Sequence, residues 1–276
     1  LKKGCFDVDE VPQEKLYFNQ ASPSAYVRGN ERAVPLALSF IQSLEMRGAR
    51  VLNGSKALLL ELSKAAQGSM LKTLGIAHPR TAAFNDVEAG LSHWDIWPAL
   101  VKPEQGGSGA RMFLLEGPDD LRRLLDQNPA LWQPDGLLLL QEKFDVNPER
   151  GIIRMEFLGG KLLYAMRVVS HGAFNLCPSE VCHPTDGADS ACALPMTKPV
   201  EFYPFPEVPQ AAVQAGERIM EAGGLDVGGI EYLEAEDGRL VFYDINANSN
   251  LRPAVAKEFG FDPFDRVVDW LQFKLE

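Results

Sequence analysis

The chain has 276 residues, of which 46% are hydrophobic, and its formal net charge at pH 7 is -11. This length suits two or three lobes that share an interface better than one compact core. The acidic balance disfavours a protein that binds the backbone of nucleic acids, although a few cations focused in a cleft suffice for a small anion. No apolar run approaches the roughly 20 residues that cross a bilayer, and no signal-peptide pattern is visible. We therefore expect a cytoplasmic protein with neither membrane nor nucleic-acid partners.

The first third of the chain predicts helices around one short strand. Residues 30–46 carry an apolar stripe typical of a helix, and residues 49–52 form a strand that stops at the turn signal 53–54. Helical periodicity resumes over 55–74 in two pieces, with Ser63 as the N-cap of the second piece and Gly75 as its C-cap.

The rest of the chain alternates hairpins with single helices. Strands are predicted at 99–102, 112–115 and 137–140, helices at 119–127, 210–222 and 263–275, and hairpins over 152–170 and 227–246. Residues 178–206, rich in Pro, Ser, Asp and Ala, are expected to form a loop. No Gly-x-Gly-x-x-Gly lies between a strand and a helix, which disfavours a Rossmann fold. The pattern indicates an α+β protein with mainly antiparallel sheets.

A lysine at the end of a buried strand faces a glycine-rich loop. Lys102 is followed by Gly106, Gly107, Ser108 and Gly109. Glycines let backbone N–H groups approach phosphate oxygens, and the lysine supplies a point charge. No Gly-Lys-Ser/Thr follows, so the loop is not a Walker A motif. A surface hairpin with flexible glycines is an equally weighted alternative.

An apolar strand runs into a polar and then aromatic segment, Gln141, Glu142, Lys143 and Phe144. Its backbone groups suit an adenine, and the Glu142 carboxylate suits a ribose. Taken alone, a strand that ends at the surface is the favoured reading.

Two carboxylates and an amide lie on the arms of the hairpin around 237–238. Asp244 and Asn246 are two residues apart in a strand and so share a face, and a tight hairpin places Glu231 opposite Asp244. Converging oxygens of this kind suit Mg²⁺, which would relieve the repulsion between the carboxylates. The alternative, a solvated sheet face, is weakened by the apolar flanking residues.

Two further groups admit more than one interpretation. Arg154 and Arg167 lie on the two strands of the hairpin predicted over 152–170. They could bind a phosphate or a carboxylate, or they could form ordinary ion pairs, for example with Glu156. The spacing of Cys177, Cys182 and His183, with Cys192 apart, lacks a convincing second pair of zinc ligands. Buried thiols in a reducing compartment are favoured over zinc.

In this order and spacing, these passages resemble the ATP-grasp superfamily, and most closely its RimK-type branch of glutamate and amino-acid ligases. The resemblance covers residues 51–276. It is carried by residues 63–64 ahead of 74–81, 100–103 with the glycines that follow, 140–144, 154–161 and 244–246. It implies an ATP-grasp fold in which a small lobe (55–144) and a large lobe (145–276), with mainly antiparallel sheets, enclose the nucleotide after a partial N-terminal lobe (1–54).

The resemblance also implies roles for individual residues. Lys64 and Lys102 hold ATP phosphates, residues 106–109 form a flap, residues 141–144 receive adenine and ribose, and Mg²⁺ (with Mn²⁺ as an alternative) is bound by Glu231, Asp244 and Asn246. Arg154 and Arg167 face the acyl phosphate or the acceptor, and Asn175, Asn248 and Asn250 lie near the acceptor. The family more often has Asp and then Glu as metal carboxylates, the reverse of this chain, and either ligates Mg²⁺. Residues 246–250 also lack the usual small-residue and proline pattern, which leaves the acceptor open.

The implied activity is ADP-forming ligation of a small-molecule or peptide carboxylate to an amine. A kinase on the same scaffold and a non-catalytic ATP-binding module are the alternatives. Homo-oligomerisation is left open.

Overall fold

Two antiparallel sheets organise the computed structural model, which describes residues 4–26, 28–106, 111–144, 151–169 and 200–276. In the described N-terminal part, β1 (Leu16–Phe18) runs parallel to β2 (Arg50–Leu52), and α1 (Ala33–Met46) connects them. Two consecutive helices follow, α2 (Ser55–Leu62) and α3 (Lys64–Thr73). The Ser63 hydroxyl accepts a hydrogen bond from the Ala66 N–H at 3.0 Å, so the predicted N-cap ends one helix and starts the next.

The smaller sheet has four strands in the order β3-β6-β4-β5 and is antiparallel throughout. Its apolar cluster lies between the sheet and two helices, with Leu121, Leu125 and Leu140 buried. The elements of this region are β3 (Thr81–Phe84), α4 (Val87–His93), β4 (Ala99–Pro103), β5 (Phe113–Leu115), α5 (Pro118–Gln127) and β6 (Leu138–Glu142).

The larger sheet has five antiparallel strands in the order β11-β10-β7-β8-β9. One face packs against α6 and the α2–α3 region through a core that includes Met155, Phe157 and Ile219, and the other face carries polar residues beside a second apolar cluster. The elements are β7 (Ile152–Leu158), β8 (Lys161–Val169), β9 (Glu201–Pro204), α6 (Gln210–Gly223), β10 (Val227–Glu234), β11 (Leu240–Asn246), α7 (Pro253–Ala256) and α8 (Pro263–Leu275).

Several short elements were not predicted. β1, α4 and α7 have three, seven and four residues, which is too short for a hydrophobic period to be recognised. The expected loop 178–206 is corrected at its C-terminal end, where β9 forms the edge of the larger sheet. Pro204 obscured this strand, because proline is compatible with an edge position only.

A buried asparagine attaches the N-terminal part to the larger sheet. The side chain of Asn53 donates a hydrogen bond to the Val227 carbonyl at 2.8 Å and accepts one from the Asp226 N–H at 2.8 Å. The backbone of Asn53 has a φ of 50°, a left-handed conformation that asparagine tolerates, so the predicted turn is also a structural joint.

The two sheets fall on either side of the expected lobe boundary at residues 144 and 145. The division into lobes at 1–54, 55–144 and 145–276 stays a prediction. Among the helices in the described ranges, none has both the length and the apolar character that a membrane span requires.

Candidate active site

The site begins where α3 lies along the edge strand β11. The Gln67 side chain donates to the Ile245 carbonyl at 2.9 Å and accepts from the Ile245 N–H at 3.1 Å. These bonds satisfy backbone groups of an edge strand that would otherwise be unpaired. They also fix the N-terminal turn of α3 beside the polar end of β11.

That turn brings Lys64 to Asp244. The Lys64 Nζ lies 2.5 Å from the Asp244 Oδ1, and 15% and 21% of the two side chains are exposed. Burial alone would raise the pKa of Asp244, but the charge and hydrogen bond of Lys64 outweigh it and bring this pKa to about 2. Burial likewise opposes the charge on Lys64, and the neighbouring Asp244 carboxylate more than offsets this and raises the pKa of the lysine.

A buried carboxylate ties α3 to the smaller sheet. Glu104, which directly follows β4, accepts hydrogen bonds from the Ser63 hydroxyl and from the Ala65 N–H, the latter at 3.0 Å. A carboxylate at a helix N-terminus is favourable, whereas the positive charge of Lys64 at the first helical position is not. Glu104 therefore offsets that charge and links the helix of Lys64 to the strand of Lys102.

Lys102 is buried within the smaller sheet. Its Nζ donates to the Gln141 Oε1 at 2.8 Å, and the Gln141 Nε2 donates to the Thr81 hydroxyl at 3.0 Å. Burial and then the positive charge of Lys64 lower the pKa of Lys102 to about 7. This ammonium has a polar partner but no carboxylate bonded to it among the described residues, so a negatively charged ligand would stabilise it.

The predicted pairing of Glu231 with Asp244 is present, but its origin is different from the expected one. The hairpin has a loop over residues 236–238, with Gly238 at a φ of 82°, and from this loop the strands keep one register as far as the pair of Tyr232 with Phe242. A bulge then adds Tyr243 to β11 and restores Glu231 opposite Asp244. The bulge also lets the Tyr243 hydroxyl donate to the Glu231 Oε2 at 2.8 Å.

Three charged residues form one row across neighbouring strands: Arg154 on β7, Glu231 on β10 and Asp244 on β11. The Arg154 guanidinium donates to Glu231 at 2.9 Å and to Glu156 at 2.6 Å. Gly229 makes this possible, because a Cβ at that position would lie 2.3 Å from the Arg154 Nη2. The ion pairing with Glu156 that the sequence left open is therefore part of the site.

The donor set fits a magnesium ion. Glu231 and Asp244 offer carboxylate oxygens, and the Asn246 amide nitrogen donates to the Asp244 Oδ2 at 2.8 Å, which brings the amide to the same place. Burial and then the Asp244 charge raise the pKa of Glu231, and a cation bound between the two carboxylates would oppose this shift. The described ranges hold no group of three His, Cys, Asp or Glu side chains placed for a metal, so phosphate or water oxygens would complete the shell.

The structure does not bring Arg167 to this face. A regular hairpin around the 159–160 turn would place Arg167 opposite Ile152 and on the face of Arg154. Instead a register shift adds Leu163 to β8, and Arg167 pairs with Ile153. One extra residue moves all later side chains to the other face, where Arg167 lies over the Tyr203 ring at 5.2 Å. Its expected role at the site gains no support from this geometry.

The remaining expected residues take varied positions. The Glu142 carboxylate accepts from the Arg80 N–H at 3.0 Å, and Lys143 is half-buried. Phe144 packs against the apolar cluster of Leu233, Ala235 and Val241 beside the larger sheet. Gly106 is buried near the Tyr26 hydroxyl, the Asn248 amide donates to the Gln20 carbonyl, and Asn250 is exposed. Outside the described residues lie Gly107, Ser108, Gly109, Asn175, Cys177, Cys182, His183 and Cys192.

Four residues of the site were not predicted. These residues, which hold α3, β4, Arg154 and Glu231 in place, are Gln67, Glu104, Gly229 and Tyr243. Only Gly229 left a signal in the sequence, a glycine within an apolar strand, which is typical of a close approach by another group.

No protein-family model matches the chain. A relative described as a probable alpha-L-glutamate ligase, from Haemophilus influenzae (strain PittEE), is 22% identical over 241 residues, which cover 86% of this chain and 72% of the relative.

Solved structures extend the similarity to nearly the whole chain. The D-cycloserine synthetase DcsG is 14% identical, with a TM-score of 0.69 over 99% of this chain and 87% of its own. The ATP-grasp ligase PsnB, complexed with a minimal precursor, is 20% identical, with a TM-score of 0.64 over 95% and 79% of the two chains. A RimK domain ATP-grasp protein from Sphaerobacter thermophilus DSM 20745 is 16% identical, with a TM-score of 0.65 over 94% and 82%. The α+β fold predicted from the sequence is thus confirmed.

Proposed function

From the ATP-grasp fold of this chain, we propose that it is an ADP-forming ligase, which activates a carboxylate with ATP and joins it to an amine. One observation carries the proposal: Lys64, at the start of α3, meets the carboxylate pair Glu231 and Asp244 at a distance of 2.5 Å from Asp244. A positive group that can bind phosphates thereby lies next to oxygen ligands that can bind a cation, and both lie between the two sheets. Such an arrangement suits a nucleotide polyphosphate with its metal.

The nucleotide would lie between the lobes. Lys64 and Lys102 offset phosphate charge, residues 106–109 cover the phosphates, and residues 141–144 receive adenine and ribose. Phe144 supports this position, because it belongs to the sequence assigned to the small lobe yet packs against the apolar cluster that contains Leu233 of the large one. A linker between lobes is a common place for a ligand.

Glu231, Asp244 and Asn246 would hold Mg²⁺, with Mn²⁺ as an alternative. When bound, this ion withdraws charge from the phosphate oxygens that it contacts. PsnB has also been solved with Mg and ADP. The Arg154 Nη1 donates a hydrogen bond to the Glu231 Oε1 at 2.9 Å. This bond would orient the Glu231 carboxylate before the ion binds.

In this reaction the protein positions the two substrates and ATP, and it stabilises the negative charge of the phosphates. The substrate carboxylate bonds to the γ-phosphorus and ADP leaves, and then the amine nitrogen bonds to the carboxyl carbon and phosphate leaves. Lys102 and Lys64 stabilise charge on the transferred phosphoryl group. The lobes exclude water, which would otherwise hydrolyse the acyl phosphate.

The substrates are small-molecule or peptide carboxylates and amines. Support comes from the names of the relatives, since one is a probable alpha-L-glutamate ligase and another was solved with a precursor peptide. The cytoplasmic location and a homo-oligomeric state stay predictions.

The test is Mg²⁺-dependent ADP release with pairs drawn from amino acids and short peptides. ADP that forms only with a particular carboxylate–amine pair supports the ligase, and Lys102→Ala and Asp244→Ala each should reduce it by at least about a hundredfold. The exposed Lys72→Ala, on α3, is the matched control.

Two other outcomes contradict the proposal. A stable phosphorylated product formed without a second substrate indicates a kinase. Tight ATP binding without ADP release for any pair indicates a non-catalytic module.

A further inference from the structure

Glu61 is a buried carboxyl group that the proposed chemistry does not use. It lies at the C-terminal end of α2, among the buried apolar residues Leu58, Leu60 and Leu62, and only 6% of it is exposed. Its Oε2 has no hydrogen-bond partner in the part of the chain that the structure describes. Among buried side-chain atoms of the described residues, only the Tyr26 hydroxyl shares that condition. Buried polar atoms are almost always paired, so an unpaired carboxylate oxygen calls for an explanation.

The surroundings of Glu61 are those of the candidate active site. Its strongest electrostatic neighbours are Asp244, Lys64 and Arg154, and the backbone N–H of Asn248 bonds to it. Burial and then the Asp244 charge raise the pKa of Glu61 to about 8. Glu61 thus lies where β11 leaves the sheet, on the side that the sequence assigns to the acceptor.

The two described cations that act on Glu61 are already bonded to other carboxylates. Lys64 pairs with Asp244 at 2.5 Å, and Arg154 pairs with both Glu156 and Glu231. Glu61 also does not join Asp244 and Glu231 in a three-carboxylate metal group, since the described residues contain none. Within the described ranges no cation is left for the free oxygen, which therefore suits a positive group brought by a ligand.

We propose that Glu61 binds the ammonium group of an amino-acid or peptide substrate. A compact ammonium donates several hydrogen bonds, which suits one carboxylate oxygen in a narrow, largely dry position. Such a contact selects substrates with a free amino group over those whose amine is acylated, because the acylated form leaves the carboxylate unpaired. The proposal rests on the ligase function for its substrate class.

Glu61→Gln separates this role from a structural one. Glutamine has the shape of a protonated glutamate, so a carboxyl that is merely neutral and structural tolerates the change. If Glu61 binds ammonium, Glu61→Gln raises the KM for the amino-bearing substrate by about a hundredfold, while the KM for ATP stays within about threefold. Glu61→Asp, which keeps the charge, should recover part of the loss. The exposed Glu258→Gln serves as the control.

Binding is measured independently of turnover. The probes are a pool of the common free amino acids and the same pool after N-acetylation, each added with Mg²⁺ and a non-hydrolysable ATP analogue, and the readout is the shift in Tm. The free pool should stabilise the wild-type protein, and the acetylated pool should not. Glu61→Gln should lose this difference.

The two proposals fail in different ways. A wild-type Tm that both pools shift equally, or neither shifts, overturns the role of Glu61, as does an unchanged KM in Glu61→Gln. Absence of ADP release with every substrate pair overturns the ligase function. In that case a Tm shift that depends on Glu61 still supports the ammonium site.

Discussion

Binding of the nucleotide should take up a proton at Lys102. In the free protein the pKa of this lysine lies at about 7, because it is buried and faces the charge of Lys64. At pH 8 only about a tenth of the Lys102 side chains carry the proton. A phosphate beside the lysine favours the charged form, so binding at pH 8 should take up about 0.9 proton, and binding at pH 6 about 0.1.

The same shift sets the pH dependence of affinity. Each pH unit above about 7 adds about 1.4 kcal/mol to the free energy of protonating Lys102, so nucleotide affinity should fall about tenfold per unit until the pKa of the bound form is reached. The direction of this pH dependence follows from the lowered pKa of Lys102. Above about pH 7 the free protein has lost the proton of this lysine, and the complex regains it.

Titration calorimetry in two buffers of different ionisation enthalpy measures the uptake. The ligand is a non-hydrolysable ATP analogue with Mg²⁺, at pH 6 and pH 8. Lys102→Met should abolish the buffer-dependent heat at pH 8, and the exposed Lys72→Met should preserve it. Equal proton uptake by the wild-type protein and Lys102→Met, or none by the wild type, would refute the reasoning.

Three further changes test how the site is held. Gly229→Ala places a Cβ within 2.3 Å of the Arg154 Nη2, so we expect ADP release to fall by at least about tenfold, with a loss of about 1–3 kcal/mol in the free energy of unfolding. Gln67→Leu leaves both backbone groups of Ile245 unpaired and should lower that free energy by about 1–3 kcal/mol, as urea unfolding would show. The folded-state pKa of Asp244 is about 2, below its ordinary value of 3.8, so the stability from this carboxylate is present above about pH 4 and is lost as pH falls to about 2. Lys64→Met should flatten that part of the stability profile.

Each of these changes has a control or a contradictory result. Gly68→Ala adds a methyl group where nothing lies within 4 Å and should leave ADP release unchanged. Gln214→Leu removes an exposed amide from α6, and its urea midpoint should match the wild type. If the free energy of unfolding falls equally steeply between about pH 4 and pH 2 in the wild-type protein and in Lys64→Met, the ion pair does not lower the pKa of Asp244.

The metal ligands illustrate what the sequence predicts and what it leaves open. Alternation along a strand was enough to place Asp244 and Asn246 together, and a tight hairpin placed Glu231 opposite Asp244. The actual loop is one residue longer, which alone would have broken this pairing, and the bulge at Tyr243 compensates for it. The expectation agrees with the structure because two departures from regular geometry cancel.

No such compensation occurs in the hairpin of β7 and β8. A single extra residue, Leu163, reverses the face of Arg167, and neither composition nor periodicity marks it. Gln67, Glu104 and Glu61 were missed for a related reason. Each is a polar side chain whose partner or neighbour is distant in the chain, so only the tertiary structure brings them together. Ser63, whose capping bond is local, was predicted correctly.

The most direct test of the ligase follows one oxygen atom. A carboxylate substrate labelled with oxygen-18 is incubated with ATP, Mg²⁺ and the amine that supports ADP release, and the released phosphate is analysed by mass spectrometry. Because the carboxylate oxygen bonds to the γ-phosphorus and leaves with it, the account predicts one labelled oxygen in the phosphate and none in the nucleotide. Unlabelled phosphate, or label in AMP, would contradict it.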